Sequence, residues 1–200
     1  YLDHAALWPD QHGGTTVDKG VAILTQSSNI AINITMQTRG LPISYIMSVG
    51  NQASLGFSEI GMYLLSDPRV TALGLHIEGI GDLKAFEELA TKARKLGKPI
   101  VALKVGKSAE ARRAAQSHTA SLAGDAQSAK SLFKRLGIAE VDRLEVLIDT
   151  LKIFHSYGPL SSKNVRSLSC SGGEASLVSD LAQSYGIQFP KLEKENISEL

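Results

Sequence analysis

The sequence predicts an α/β domain built on a flavodoxin-like, doubly wound parallel sheet. Short continuous apolar runs, which are typical of strands buried on both faces, alternate with stretches of helical periodicity. Glycines follow several of the helical stretches and can adopt the left-handed conformation that turns the chain back to the sheet. Crossovers between parallel strands are right-handed, which places helices on both faces of the sheet.

The apolar runs assign five strands to a first domain, which we place at residues 17–157. Polar or glycine-containing segments end each run, as expected where a buried strand leaves the core. In order along the chain, the predicted strands are Val21–Thr25, Ile43–Val49, Ala72–Ile77, Pro99–Val105 and Ile138–Val141.

A predicted helix follows each strand of this domain. Two of these helices carry clear end signals, since Asp82 can cap one at its start and Gly97 can close it. Asp142 and Glu145 have the spacing of a capping box. The helices are predicted from about residue 29 towards Thr38, through Ile60 to Leu65, after Asp82, over Ala123–Leu136, and from Asp142 to about Phe154.

The segments outside this domain are predicted as a tail, a linker and the start of a second unit. Residues 158–164 are the linker because their composition is turn-forming. Residues 165–200 restart the strand–loop–helix pattern, with strands at Val165–Cys170 and Ile187–Phe189, and are expected to be truncated. Residues 1–16 are expected to be a tail or a remnant of a preceding domain. The chain is therefore expected to be a fragment.

Composition argues against several classes of function. The net charge of +1, from 21 basic and 20 acidic residues, lacks the basic excess typical of nucleic-acid or membrane-surface binding. No apolar run approaches the roughly 18 residues needed to span a bilayer, so no membrane role is predicted and a cytoplasmic location is expected. The single cysteine permits no disulfide within the chain, and the histidines share no metal-ligand spacing, so no metal site is predicted.

Candidate functional residues follow the ends of the predicted strands, where ligands bind in open parallel sheets. Residues 26–29 leave the first strand and start a helix, so their amides and hydroxyls can hold an anion. Glu78 follows the third strand and Lys104 ends the fourth. His118 lies in the long connection after Lys104, among small and hydroxylated residues.

The surroundings of His118 are compatible with phosphate chemistry. A phosphoryl-accepting histidine needs a neutral imidazole whose other nitrogen donates its proton to a carboxylate, for which Glu78 is the candidate. The phosphorylated product needs amides, hydroxyls and cations, which Ser117, Thr119 and Arg113 can supply. From these residues alone, a plain surface-loop histidine stays open as the alternative.

Four ordered motifs resemble the NDP-forming acyl-CoA synthetases, a group similar to succinyl-CoA synthetase that includes ADP-forming acetyl-CoA synthetase. The segment 105–124, with Ser117-His118-Thr119-Ala120, resembles the family's phosphohistidine loop. The other matches are Leu24–Ser28, Ser48–Ala53 and Ile77–Gly79. The resemblance covers residues 17–157 as the ligase-type domain, and residues 165–189 are similar to the start of the domain that follows it.

The sequence departs from the family pattern at two positions. Ala120 and Asn29 stand where glycine is usual or frequent, which affects how closely the backbone can approach phosphate. Neither change removes a reacting group.

The resemblance implies a phosphoryl relay between an acyl phosphate, a histidine and a nucleotide. Coenzyme A, ATP or ADP, and phosphate would be the substrates, with magnesium arriving with the nucleotide on another domain. The implied partners are the CoA-binding and ATP-grasp domains of the same or another chain, so the isolated chain is expected to be inactive. The implied roles are phosphoryl carrier for His118, its orienting carboxylate for Glu78, phosphate binding for Ser27, Ser28, Ser117 and Thr119, and phosphate or nucleotide contact for Lys104 and Arg113.

Two other classes of function agree less well with the sequence than the ligase. One is a CoA- or metabolite-sensing module of a protein acetyltransferase, in which the ligase histidine is usually lost, so that the presence of His118 favours the enzyme. The other is a serine hydrolase using Ser117 or Ser171 with His118, but no Gly-x-Ser-x-Gly elbow occurs. The acyl group, the nucleotide and a homo-oligomeric state are left open.

Overall fold

The computed structural model describes residues 11–108, 110–111, 126–162 and 164–190. The chain divides after Pro159 into two compact units. The first unit contains a five-stranded, wholly parallel sheet with the order β2-β1-β3-β4-β5. Its strands are β1 Gly20–Thr25, β2 Ile43–Ser48, β3 Val70–Ile77, β4 Ile100–Lys104 and β5 Ala139–Val141.

Helices cover both faces of this sheet. α1 and the last helix of the unit, α5, pack on one face, and α2, α3 and α4 pack on the other. The helices are α1 Ser28–Thr35, α2 Phe57–Ser66, α3 Leu83–Lys95, α4 Ala126–Leu136 and α5 Leu144–Tyr157. The predicted flavodoxin-like, doubly wound fold is thereby confirmed.

The core consists of two apolar layers separated by the sheet. One layer contains the fully buried rings of Phe57, Phe86 and Phe133 from α2, α3 and α4. The other layer contains Ile34 of α1 and Leu151 of α5. Because all residues of β1 and β4 are buried, their sequences are nearly continuous apolar runs, which is why sequence pattern alone located them.

The strand order creates a switch point between β1 and β3. β2 lies on one side of β1, and β3 lies on the other. The crossover from β1 to β2 therefore runs in one direction along the sheet, and the crossovers from β2 to β3 and from β3 to β4 run in the opposite direction. The loops after β1 and β3 therefore diverge to opposite faces and leave a crevice at the carboxyl edge, where such sheets bind their ligands.

Helix-end signals were confirmed in part. Oδ1 of Asp82 accepts hydrogen bonds from the main-chain N–H groups of Lys84 and Ala85, and Gly97 has a φ of +64° after α3. The proposed capping box at Asp142 is wrong, because Arg143 is the residue at the N-cap of α5 and makes no side-chain capping bond.

The second unit begins after Pro159 and contains α6, Gly172–Ser184, which starts at an N-cap serine. Oγ of Ser171 accepts a hydrogen bond from the N–H of Glu174. The strands predicted at Val165–Cys170 and Ile187–Phe189 are absent from this described part. A strand pairs its main-chain polar groups with a neighbouring strand, and these segments form no such pairs with the described residues. None of the described helices has the length and apolar content to cross a bilayer.

Candidate active site at the carboxyl edge of the sheet

Main-chain hydrogen bonds continue past the ends of the central strands and hold the following loops together. The N–H of Gln26 donates to the carbonyl of His76 over 3.3 Å, and the N–H of Val105 donates to the carbonyl of Ile77 over 3.0 Å. The residues just after β1, β3 and β4 are therefore neighbours at one edge, although they are far apart in sequence.

The turn from β1 into α1 is built by two hydroxyl side chains. Oγ1 of Thr25 accepts from the N–H of Ser27 over 3.0 Å and donates to the carbonyl of the same residue over 3.1 Å. Oγ of Ser27 accepts from the N–H of Ile30 over 3.3 Å and so caps α1. The Ser27 hydroxyl proton is not used by this capping bond, and Ser28 lies exposed in the first turn, which contains no acidic residue.

Gln26 joins this turn to the loop after β3. Its side-chain oxygen accepts two hydrogen bonds, from the N–H of Glu78 over 2.6 Å and from the N–H of Gly79 over 2.9 Å. The Gln26 side chain is 6% exposed, and its Nε2 atom is buried without a hydrogen-bond partner in the described structure.

Two further side chains hold the carbonyl groups of the same dipeptide. Nζ of Lys104 donates to the carbonyl of Glu78 over 2.8 Å, and Nε2 of Gln52 donates to the carbonyl of Gly79 over 2.9 Å. Gln52 itself is held by the N–H of Phe57, which donates to its Oε1 over 3.1 Å at the start of α2. All four main-chain polar groups of residues 78 and 79 thus have side-chain partners from other segments.

Lys104 is a buried cation at this edge. Only 3% of it is exposed, and Nζ also donates to the carbonyl of Val105 over 2.5 Å. Burial lowers the pKa of the Lys104 ammonium, and the nearby Lys107 lowers it further, while the Glu78 carboxylate opposes both effects. An ammonium has three protons, so two carbonyl bonds leave one for another acceptor.

His76 is a buried histidine directly below the site. Its Nδ1 lies 3.1 Å from Oγ1 of Thr25, and the side chain is 6% exposed. Burial lowers the pKa of His76, and the charge of Lys104 acts in the same direction. His76 is therefore a buried hydrogen-bonding partner that supports the β1–α1 turn.

A cleft of about 700 Å³ opens beside Lys104, between α3 and α4. Apolar side chains of Ile80 and Leu83 line one part of it, and the hydrogen-bonded pair of Glu87 and Arg135 lines another. A cleft of this size and mixed polarity can accommodate a small organic molecule.

The structure brings together only some of the predicted site residues. Ser27, Ser28, Glu78 and Lys104 lie at one edge, around the β1–β3 switch point. The carboxylate of Glu78 is half-buried and accepts no hydrogen bond from the described part of the chain. Arg113, Ser117, His118 and Thr119 lie outside the described residues.

Sequence reasoning missed the roles of Gln26, Gln52 and His76. Each lies in or beside a motif that was singled out, but glutamine carries no charge and has no characteristic spacing to its partners. Residues 26 and 78 are 52 positions apart, so only the strand order reveals their contact. Among the described residues, no group of three or more His, Cys, Asp or Glu side chains could hold a metal ion.

Comparison with known proteins gives a consistent set of similarities. Residues 18–154 match the family described as succinyl-CoA ligase like flavodoxin domain. The chain is 34% identical over 189 residues to the alpha subunit of an ADP-forming acetate–CoA ligase II of Pyrococcus furiosus, covering 93% of this chain and 41% of that subunit. It is 33% identical to an ADP-forming acetate–CoA ligase of Methanocaldococcus jannaschii, covering 98% of this chain and 27% of the relative.

A solved structure named as an acetyl-coenzyme A synthetase is also similar to this chain. The acetyl-coenzyme A synthetase 1 of Ca. Korarchaeum cryptofilum, described as dinucleotide forming and in complex with phosphate and ADP, superposes with a TM-score of 0.81 at 27% identity. The match covers 92% of this chain and 40% of that one. The chain therefore spans well under half the length of the relatives it matches.

Proposed function

Because this chain belongs to the family of succinyl-CoA ligase like flavodoxin domains, we propose that it is the phosphohistidine-bearing part of an ADP-forming acyl-CoA synthetase. The complete enzyme would convert an acid, CoA and ATP into acyl-CoA, ADP and phosphate. Relatives named as ADP-forming acetate–CoA ligases support this assignment. We expect other domains to supply the CoA-binding and ATP-grasp parts. We also expect the complete enzyme to work in the cytoplasm.

The observation that carries the proposal is the direct link between the β1–α1 turn and the loop of Glu78. Gln26 provides it through its bonds to the N–H groups of Glu78 and Gly79. An anion at the start of α1 would meet exposed first-turn amides and the positive end of the helix dipole. The carboxylate of Glu78 would lie at the same edge.

The proposed reaction proceeds in three balanced steps in the ATP-forming direction. Phosphate attacks the thioester carbonyl, so that an acyl phosphate forms and the CoA thiolate leaves. A ring nitrogen of His118 then attacks phosphorus, a P–N bond forms, and the carboxylate of the acid departs. Finally the terminal oxygen of ADP attacks the same phosphorus, which gives ATP and free histidine. Synthesis of acyl-CoA is the reverse sequence.

Each of the candidate site residues has a proposed role in these steps. Glu78 would accept a hydrogen bond from the second ring nitrogen of His118 and so present the first nitrogen unprotonated. The Ser27 hydroxyl and the first-turn amide of Ser28 would hold phosphate oxygens. Lys104 serves chiefly to hold the carbonyl of Glu78, with one proton left for a phosphoryl oxygen. Ser117, Thr119 and Arg113 would contact the phosphoryl group from the histidine loop.

The test uses the complete protein that contains this chain, with its partner subunit if it has one. Incubation with ATP labelled at the γ-phosphate and magnesium should give acid-labile, base-stable label on the protein. We expect no label in His118→Ala and strongly reduced labelling in Glu78→Gln. His155→Ala, at the opposite edge of the sheet, and Glu88→Gln, exposed on α3, are matched controls that should label as the wild type does.

Two outcomes would contradict the proposal. Label that persists in His118→Ala would place the phosphoryl site elsewhere. Folded wild-type protein that takes up no label would favour a sensing module without catalysis.

A further inference from the structure

The dipeptide Glu78–Gly79 is held by side chains rather than by regular secondary structure. Gln26 accepts from both N–H groups, while Lys104 and Gln52 donate to the two carbonyls. These three side chains come from the ends of three different strands or their following loops. The main chain of Glu78 is therefore held through both its N–H and its carbonyl group. This also fixes the Cα atom from which its side chain extends.

The orientation of the Gln26 amide follows from its partners. Main-chain N–H groups only donate, so the atom that lies 2.6 and 2.9 Å from them must be the carbonyl oxygen. The buried Nε2 without a partner is consequently the NH₂ group. Leaving such a donor unsatisfied in the protein interior destabilises the folded state.

A glutamate at position 26 would avoid this unsatisfied donor. Its carboxylate would accept the same two N–H bonds, and charge-assisted hydrogen bonds are the stronger ones. It would also place a second carboxylate next to Glu78, and two carboxylates that share a site retain a proton to higher pH. The amide supplies the two acceptor bonds without adding this negative charge.

We infer that Gln26 is a positioning residue for the reaction, which holds the Glu78 carboxylate in place through neutral acceptor bonds to the main chain of Glu78 and Gly79. This inference rests on the proposed function of Glu78. Gln26 acts through Glu78 and not on the phosphoryl group. Lys104 and Gln52 hold the same dipeptide from its carbonyl side.

The decisive variants are Gln26→Met and Gln26→Glu in the complete protein. In Gln26→Met both acceptor bonds are lost, and the rate of histidine phosphorylation at saturating ATP should fall about 10- to 100-fold. The KM for ATP should stay within about twofold, because the nucleotide is proposed to bind on another domain. Gln37→Met is the matched control, since Gln37 also bonds to main-chain groups through both amide atoms, in a loop at the opposite edge.

Gln26→Glu separates the effect of charge from that of position. It keeps both acceptor bonds, so the main-chain amide resonance of Gly79 should move less than in Gln26→Met. The acidic limb of its pH–rate profile should shift upward by about one unit, because the added negative charge at residue 26 lies close to the site, with Lys104 as the facing cation. If Gln26 contributed only to the stability of the fold, its substitution would not shift the acidic limb of the pH–rate profile.

The outcomes distinguish failure of the inference from failure of the proposed function. Wild-type rates and pH profiles in both Gln26 variants, with Glu78→Gln defective, would overturn the role of Gln26. Wild-type labelling in Glu78→Gln would overturn the role of Glu78 in the proposed function and the inference with it. If Gln26→Met does not fold, Gln26→Asn replaces it, because its amide is one carbon shorter and cannot reach both N–H groups in the same way.

Discussion

Leu151 of α5 packs directly onto the main chain of Gly74 in the middle of β3. A β-carbon at residue 74 would lie 2.6 Å from Cδ1 of Leu151, and both positions are in the buried core. Gly74 pairs with Ile23 on one side and Val101 on the other, so the strand has no freedom to move away. The small residue at this point therefore sets how closely α5 approaches the sheet.

We predict that Gly74→Ala lowers the free energy of unfolding by about 1–3 kcal/mol, because it overpacks this contact. Urea denaturation followed by circular dichroism measures the change. Leu151→Ala alone should cost about 2–5 kcal/mol. The double variant should be more stable than the sum of the two changes implies, by about 0.5–3 kcal/mol. Simple additivity would show that the two residues do not interact in this way.

Asp67 is predicted to stabilise the fold more than a typical surface carboxylate. Hydrogen bonds from the Arg69 guanidinium hold the pKa of Asp67 well below its usual 3.8, and Tyr45 donates to Oδ2 over 2.9 Å. Asp67→Asn should lower the free energy of unfolding at pH 7 by about 1–3 kcal/mol. The same substitution at Asp149, which pairs with Arg39 at about half exposure of both side chains, should cost less than about 1 kcal/mol.

The pH dependence of this contribution has a definite sign. A folded-state pKa below the unfolded one means that the unfolded chain binds a proton first as the pH falls. The stability from Asp67 should therefore be complete above about pH 3.8 and decline below it. Denaturation curves of Asp67→Asn should lack this part of the decline. Equal acid dependence in the variant and the wild type would contradict the prediction.

His76 should make the fold sensitive to mild acid. Burial lowers the pKa of His76 below its usual 6.5, so the unfolded chain takes up this proton before the folded chain does. Its contribution to stability should be complete above about pH 6.5 and be lost as the pH falls towards the folded-state pKa. His155, whose pKa burial also lowers, should contribute in the same direction.

The comparison of His76→Asn with the wild type tests this point. The denaturation midpoint of the variant should fall less between pH 7 and pH 5, because asparagine does not titrate and its amide can still reach Thr25. A His155→Asn variant measures the second contribution separately. Identical slopes in His76→Asn and the wild type would show that His76 is not the titrating group.

The main-chain amide of Gly79 is predicted to exchange its hydrogen slowly although it lies outside any strand. It is buried and donates to the buried oxygen of Gln26. The amide of Ala53 is a matched comparison, because it also donates to a side-chain oxygen in a loop, that of Asn51, but is exposed. Exchange measured by NMR should be at least about tenfold slower at Gly79, and Gln26→Met should remove the difference.

The sequence was most informative where local pattern and tertiary burial agree. Residues of β1 and β4 are apolar because both faces of these strands are covered, so an unbroken apolar run was sufficient to locate them. Asp82 and Gly97 were predictable because capping needs only a particular residue type at a helix end. The place of Glu78 at the carboxyl edge was predictable because it directly follows the apolar run of β3.

The sequence was least informative where a residue acts through distant partners. Nothing near Gln26 indicates that its oxygen accepts from residues 78 and 79, since that contact depends on the order of the strands. The segment 165–170 was predicted as a strand from its local sequence, whereas a strand also requires a paired neighbour. Arg143 at the N-cap of α5 carries no capping side chain, so no local rule could have placed that helix start.

The side-chain hydrogen bonds that hold Glu78–Gly79 also determine when the site can form during synthesis of the chain. Gln26 is made first, but its partners follow 52 and 53 residues later, and Lys104 comes 26 residues after Glu78. As a nascent chain leaves the ribosome, the turn after β1 can form early. The side-chain oxygen of Gln26 then still lacks the N–H groups of Glu78 and Gly79. The arrangement is complete only once everything from Gln26 to Lys104 has emerged, so no shorter peptide from this region can reproduce it.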